Sequence, residues 1–436
     1  MSDQDFLVNR SEPKRNFFVF PPLQPTEVIP QDDAQRTLRL DEADDSDTDF
    51  VVFVSVPYCR VRCHSCHCFK HVLPTKANQD DVLDRYVDAI CTQLEEYANT
   101  PRFRSKRCGA IYLGGGTASL LRTQDIARLL TLISGKFHLR EGLEVTLEGS
   151  PLEFSSSYLA SAQAQGVNRL SIGYQSRFNV LLETLNSPHR SADGEAAIEC
   201  AMGAGFDVVN VDLLYNIPRQ TREMWEHEIE ALLEKEVGSI SVGDYMIFPD
   251  SPAAKLIKRG LNPPQLPQHE AFDWFQWTVE RLKKDGYEEY ARGIFPRQGK
   301  MHDYLEISCM ENGDILGIGV GSYSFISGYQ LRNTSHVDRY VQHMLARNYL
   351  SFDHVSRRSS SLDLRIRYVI LNLFASRIDA QSFRNRFGTA FENDFDPQLA
   401  ELAANGWIKR DKDVFRLTTE GRKSRKHVYE VFYGAG

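Results

Sequence analysis

The sequence predicts an α/β protein built on a parallel sheet with helices outside it. From Phe50 onward, short β-rich apolar runs alternate with stretches of helical periodicity, and six such β-then-α units follow one another. Successive parallel strands need crossover helices, so this order implies a doubly wound sheet or a barrel, complete or partial. The chain has 436 residues, 42% of them hydrophobic, and no apolar run approaches the roughly eighteen residues that cross a membrane. That length suits two or three domains.

Residues 1–49 read as an extended N-terminal arm, with scattered Pro13, Pro21, Pro22, Pro25 and Pro30 and the acidic run DEADDSDTD before the first strand. The strands expected next are VVFVSV from Val51, AIYL from Ala110, EVTLE from Glu144, RLSIGY from Arg169, DVVNVDLL from Asp207 and SISVGDYM from Ser239. Leu83, Val87, Ile90, Leu94 and Tyr97 recur every three or four residues and mark one amphipathic helix. Ile126, Leu129, Leu130 and Ile133 mark a second, starting near Thr123. Residues 50–350 form the expected core with its extension. From about Ser351 the pattern turns helical, and helix, helix, then a Gly-Trp turn into short strands reads as a winged helix-turn-helix. Its Arg and Lys residues are interleaved with Asp and Glu, and the chain carries a net charge of -8, so nucleic-acid binding is not expected. A soluble cytoplasmic enzyme without membrane attachment is.

In parallel α/β folds, sites lie at the C-terminal ends of the strands. Directly after the first strand comes SVPYCRVRCHSCHCFKH, in which Cys59, Cys63, Cys66 and Cys68 read C-x-x-x-C-x-x-C-x-C. Three thiolates can hold three irons of a [4Fe–4S] cluster and leave the fourth open. Zinc is the alternative, with His64, His67 and His71 alongside, although no second cysteine knuckle appears. Cys91, Cys108, Cys200 and Cys309 are scattered and read as small buried hydrophobes; no secretory leader suggests disulfides.

The second strand ends in Gly114, Gly115 and Gly116, where backbone N–H groups can approach an anion or an amino-acid head group. A tight strand-to-helix turn explains three glycines as well. Glu148 ends the third strand, Gln175 the fourth, and Asp212 sits inside the fifth; polar groups at equivalent ends suggest contacts to one ligand.

Five motifs in chain order, C-x-x-x-C-x-x-C, GGGT, E-x-x-P, RLSIGYQS and DLLYNIPRQT, resemble the radical S-adenosylmethionine (SAM) superfamily. More narrowly they resemble the branch of oxygen-independent coproporphyrinogen III oxidase, the related heme chaperone and the class C radical SAM methyltransferases. The resemblance implies a partial (β/α)6 TIM-like barrel with a C-terminal winged-helix-like domain, residues 351–436, as a lid over the substrate mouth. It implies a [4Fe–4S] cluster on Cys59, Cys63 and Cys66, with Cys68 not a ligand. It places one SAM molecule against Gly114, Gly115, Gly116 and Thr117 with Glu148 nearby, implies a second SAM beside the first, and makes Gln175, Asp212, Leu214 and Met246 contacts of these cofactors. An Arg expected about twelve residues after Gln175 is absent; Ser187 stands there, with Arg190 as the substitute.

Two departures weaken the porphyrin readings. Phe53 and Ser55 stand where the oxidase and the chaperone have Tyr and His, and the chaperone's H-N-x-x-Y-W motif is absent from KMHDYLEISCMENGDILGIG. The expected activity is therefore methyl transfer or cyclopropanation with two SAM molecules. A 5′-deoxyadenosyl radical would generate a SAM-bound methylene radical that adds to an sp2 carbon of a small-molecule or carrier-bound unsaturated substrate. Flavodoxin or ferredoxin would supply the electron. The step needs a base, for which Tyr304, His302 and Glu306 in MHDYLEIS and Tyr245 and Asp244 after the sixth strand are the candidates. The arm, MHDYLEIS and the lid are expected to line the mouth. A porphyrin-directed enzyme, whether oxidase or heme methyltransferase, and a heme chaperone are the alternatives.

Overall fold

The computed structural model describes residues 20–22, 24–25, 31–44, 48–64, 66, 71–74, 76–249 and 251–434. His67, Cys68 and most of the N-terminal arm lie outside these described residues.

Six parallel strands form the centre: β1 (Phe50–Val56), β2 (Arg107–Gly115), β3 (His138–Gly149), β4 (Arg169–Gln175), β5 (Val208–Tyr215) and β6 (Ser239–Asp244). They pair in sequence order, as right-handed β-α-β connections require. A short strand β7 (Ile294–Pro296) closes one edge antiparallel to β6. On the other side β8 (Asp314–Ile318) lies parallel to β1. It leads into an antiparallel meander of β9 (Tyr323–Ile326), β10 (Tyr329–Asn333) and β11 (Phe352–Val355).

The two faces of the central strands differ in kind. Val52, Val54, Ile111, Leu113, Leu147, Leu170, Ile172, Val209, Val211 and Ile240 point outward into the main core beneath the helices. The alternate positions, Phe53, Tyr112, Glu148, Arg169, Ser171, Asn210, Asp212 and Ser241, surround a single cavity. Side chains from β1 through β6 can share one cavity only if the sheet curls, so the expected partial barrel is the observed fold.

Helix α1 (Lys76–Ala98) covers β1, with Leu83, Val87, Ile90, Leu94 and Tyr97 all buried. Each such side chain contributes about 1.5–3 kcal/mol on burial. Helix α2 (Thr123–Lys136) buries Ile126, Leu129, Leu130 and Ile133. Around the barrel follow α3 (Ser156–Ala164), α4 (Asn179–Leu185), α5 (Ser191–Ala204), α6 (Arg222–Glu234), α7 (Pro252–Lys258) and α8 (Gln268–Lys284).

Three expectations change. The arm is not wholly extended: Gln31–Thr37 is a helix, and Ala34 within it and Leu38 and Leu40 in the turn that follows are buried in the main core. Residues 24–25 add a last strand beside β11. The boundary expected at 351 falls before β11, which belongs to the large sheet; the helical unit starts with α9 (Ser361–Phe374), capped by Ser360.

That unit has its own core and a three-stranded sheet between Arg377 and Leu417, with helices α10 (Ala380–Phe387), α11 (Phe391–Ala404) and α12 (Arg425–Tyr433). Its placement corrects the lid. Asn372 Nδ2 donates to the Met310 carbonyl at 3.1 Å, Arg386 to Thr48 Oγ1 at 2.7 Å, and the Phe374 carbonyl accepts from Arg292 at 2.9 Å. Thr48 and Met310 adjoin the starts of β1 and β8, while Arg292 lies at the β7 edge. The unit therefore packs against the strand starts and the sheet edge, away from the end that carries the cysteine loop.

Candidate active site

The cysteine loop emerges from β1 and is pinned on two sides. His64 N donates to the Leu185 carbonyl at 2.9 Å, and Asn186, left-handed at φ 55° as the cap of α4, holds the Arg62 carbonyl at 2.9 Å. His64 Nδ1 lies 2.9 Å from the Thr184 carbonyl, so that nitrogen carries the proton and is not a metal ligand. On the other side Leu73 N donates to the Cys59 carbonyl at 2.9 Å.

The glycine turn explains its composition. A Cβ on Gly116 would stand 2.7 Å from the Tyr58 carbonyl and 3.1 Å from Cys59 Sγ, and one on Gly114 would meet Glu148 Oε2 at 2.7 Å. Gly115 has φ +110°, a region that L side chains rarely adopt. Thr117 hydrogen-bonds the Cys59 thiol.

Cys59, Cys63 and Cys66 are close enough for their charges to interact. Burial, and then the Cys66 and Cys59 thiols, push the Cys63 thiol up to about 11. Burial also raises Cys59, against the Thr117 hydrogen bond. Cys59 and Cys63 thus resist ionising by themselves, and bound iron would supply the charge that makes them thiolates. Among the described residues no compact group of three or more His, Cys, Asp or Glu side chains closes on a single metal ion. Three clustered thiols beside a side-chain-free turn fit an iron–sulfur cluster with an adjacent amino-acid head group.

Below this rim lies a cavity of about 490 Å³. Burial, and then nearby Asp212, push the Glu148 carboxyl up to about 7 against the hydrogen bonds from Tyr112 and the Gly115 N–H. Burial likewise raises Asp212, which accepts from Ser171 Oγ at 2.9 Å and Asn210 Nδ2 at 2.8 Å. Leu214 lines the same cavity.

Gln175 ends β4 at φ 65°, and its amide Oε1 is buried without a partner among the described residues, but Gln175 does not line the cavity. The turn is held from behind by Glu228 of α6, 1% exposed, which accepts from Ser176 Oγ, from Arg177 N at 3.2 Å and from Gln220 Nε2 at 3.1 Å. Burial pushes Glu228 up to about 8.

His302 and Tyr304 are brought to the cavity, but at its floor rather than its mouth. Tyr304 and Ile307 pack on Val51 and Ala110 near the strand starts. The Glu144 carboxylate anchors the segment, accepting from Asp303 N at 3.1 Å and Tyr304 N at 3.3 Å, with His302 Nε2 at 3.3 Å. Burial holds His302 well below its usual pKa, so it is neutral. MHDYLEIS therefore plugs the end opposite the cysteine loop.

The other candidates are not collected there. Glu306 bonds Tyr290, Asp244 accepts from Asn216 Nδ2 at 3.0 Å, and Tyr245 is buried in a satellite cluster with Leu181 and Ile247. None of the three lines the cavity, nor does Met246, which is half-buried after β6. Arg190 is exposed and pairs with Glu183; its backbone caps α5 with Asp193. Ser187 bonds His189 Nδ1 at 2.9 Å. Sequence reasoning missed Glu144, Arg169, Asn210, Ser241 and Glu228. For the cavity residues the available signal was a polar stripe at period two along apolar strands.

A partial barrel with three cysteines and a glycine turn at one mouth defines an enzyme class that uses an iron–sulfur cluster and SAM. The superfamily profile described as "Radical SAM superfamily" matches residues 53–232, and the "HemN C-terminal domain" profile matches 369–423. The chain is 26% identical over 386 residues to heme chaperone HemW of Lactococcus lactis subsp. lactis, covering 87% of this chain and 96% of the relative. It is 28% identical over 401 residues to the oxygen-independent coproporphyrinogen III oxidase of Salmonella typhimurium, covering 87% and 84%. The solved coproporphyrinogen III oxidase HemN from Escherichia coli superposes with a TM-score of 0.77 at 25% identity, over 91% of this chain and 93% of that one. The protein belongs to the radical SAM superfamily. Within it, the chain stands in the coproporphyrinogen oxidase-like branch.

These relatives do not carry the methyltransferase preference; their names are oxidase and chaperone. No described helix is long and apolar enough to cross a membrane.

Proposed function

We propose that the chain is a radical SAM enzyme acting on a tetrapyrrole of the porphyrinogen class. One observation carries the enzymatic reading: Cys59, Cys63, Cys66, the Gly114–Thr117 turn and Glu148 meet at the open end of a cavity closed below by aromatic rings. The substrate class rests on the relatives, matched along most of their length and named for coproporphyrinogen oxidation or heme handling.

When bound, a cluster on the three cysteines together with SAM would supply a 5′-deoxyadenosyl radical for hydrogen abstraction. The chain's own residues bind and orient. Gly114 to Thr117 present backbone to an amino-acid head group, and Glu148 and Asp212 suit its cation. His302, Tyr304, Tyr112 and Phe53 exclude water from below.

A second reading, methyl transfer or cyclopropanation, has one observation in its favour. Phe53 stacks on Tyr112 at 5.8 Å and Ser55 Oγ is committed to the Val320 carbonyl at 2.9 Å, so neither offers the proton chemistry of a Tyr or His.

The test is anaerobic reconstitution with iron and sulfide, dithionite reduction, and mass analysis of nucleosides with and without coproporphyrinogen III. Coproporphyrinogen-dependent 5′-deoxyadenosine with loss of carbon dioxide supports the first reading, and S-adenosylhomocysteine beside 5′-deoxyadenosine the second. Tight heme binding without SAM cleavage would replace both with a heme-carrier role.

A further inference from the structure

One charged group at the floor of the cavity is left with open donors. Arg169, the first residue of β4, is 3% exposed and lines the cavity. Its guanidinium forms no side-chain hydrogen bond among the described residues. Glu144 Oε2 stands 3.6 Å from its Nε, an ion pair without a hydrogen bond, and that Nε is buried without an acceptor. A guanidinium carries several N–H groups in a fixed fork, and burying them unmet is costly.

The neighbouring acceptors are already engaged. Glu144 takes the Asp303 and Tyr304 N–H groups at 3.1 and 3.3 Å. Asp212 takes Ser171 Oγ and Asn210 Nδ2, and Asn210 Oδ1 takes Ser241 Oγ at 3.1 Å. Glu148 takes the Tyr112 hydroxyl and the Gly115 N–H. His302 is held neutral by burial and then by the Arg169 charge itself. Phe53, Tyr112 and Tyr304 complete the surroundings, with ring centroids 5.2–6.3 Å apart. Walls of this kind strengthen any charge-assisted hydrogen bond made between them.

We propose that the floor of the cavity is a carboxylate subsite, in which the Arg169 fork grips one acid arm of the substrate. This rests on the tetrapyrrole reading above and adds a position to it. The arm held is one that does not react, because Arg169 lies at the strand starts, opposite the cysteine loop. A guanidinium matches a planar carboxylate with two parallel hydrogen bonds. Glu144 offsets part of the positive charge, which suits a monoanion better than a phosphate dianion. The rings of Phe53, Tyr112 and Tyr304 suit the apolar body that carries the arm.

The experiment uses the reconstituted full chain and two probes. The first is isotope-labelled propionate, the acid arm alone, titrated by carbon NMR. It should bind the parent, and bind Arg169→Gln at least about tenfold more weakly. Arg169→Lys should lie between, since an ammonium keeps the charge and loses the fork. The second probe is coproporphyrinogen III against its tetramethyl ester, by anaerobic equilibrium dialysis. The parent should prefer the acid at least about tenfold, and Arg169→Gln should lose most of that preference. Bound iron per chain checks that each variant folds; should Arg169→Gln fail to load iron, Arg169→Lys and the acid-to-ester ratio of the parent decide. Propionate that binds parent and Arg169→Gln equally, or that fails to bind the parent, would overturn the proposal. So would an acid-to-ester ratio that Arg169→Gln leaves unchanged. Propionate held through Arg169 by a chain that does not bind coproporphyrinogen III would instead leave the subsite standing and count against the proposed function alone.

Discussion

Tyr112 and Tyr304 meet with ring centroids 5.2 Å apart and planes at 50°, one ring carried by β2 and the other by a segment nearly two hundred residues later. The contact seals the cavity floor, and Glu144 fixes it through two backbone N–H groups.

Glu144→Ala should therefore loosen the floor. It leaves two N–H donors without their acceptor and Arg169, 3.6 Å away, without its carboxylate. A loss of about 2–4 kcal/mol in urea unfolding is expected, with Glu144→Gln milder.

Tyr304→Phe keeps the ring and removes the hydroxyl. SAM cleavage should persist at close to the parent rate while product formation falls, measured as the ratio of product to 5′-deoxyadenosine. Unchanged product would dismiss a chemical role for this phenol.

Changing Cys59, Cys63 or Cys66 to Ala should cut bound iron and sulfide at least about tenfold. Cys91→Ala, on the buried face of α1, should leave both intact, read by metal analysis and visible absorbance.

Glu148 titrates near 7, and its ionised form suits the cationic amino group of SAM. Affinity should then rise with pH from 6 to 8, by up to about tenfold per unit below that pKa, and Glu148→Gln should abolish the rise. Equilibrium dialysis of the cluster-loaded protein gives the answer.

Glu228 offers a stability test. Its native pKa of about 8 lies above the ordinary 4.5, so the folded state holds the proton more tightly than the unfolded chain. Stability is then fullest below 4.5 and falls as pH rises through 8, by at most about 1.4 kcal/mol per unit. Glu228→Gln should flatten that slope in denaturant titrations.

The strands, the helix faces and the cysteine loop were legible because each is local: period two, period three to four, and cysteine spacing. Glu144 and Arg169 were not. An acid and a base at strand starts look solvated until a remote segment covers them, and nothing in MHDYLEIS says which end of the barrel it will cover. Counting from Gln175 points to Arg190, but the α5 cap turns that position to the surface. The lid failed for the same reason as the plug, since docking depends on a path through the whole chain.

A plug at the strand starts makes depth an ordering principle: on the cysteine-loop side, a molecule seated on the His302 and Tyr304 floor must enter before one held at the glycine turn, and leave after it.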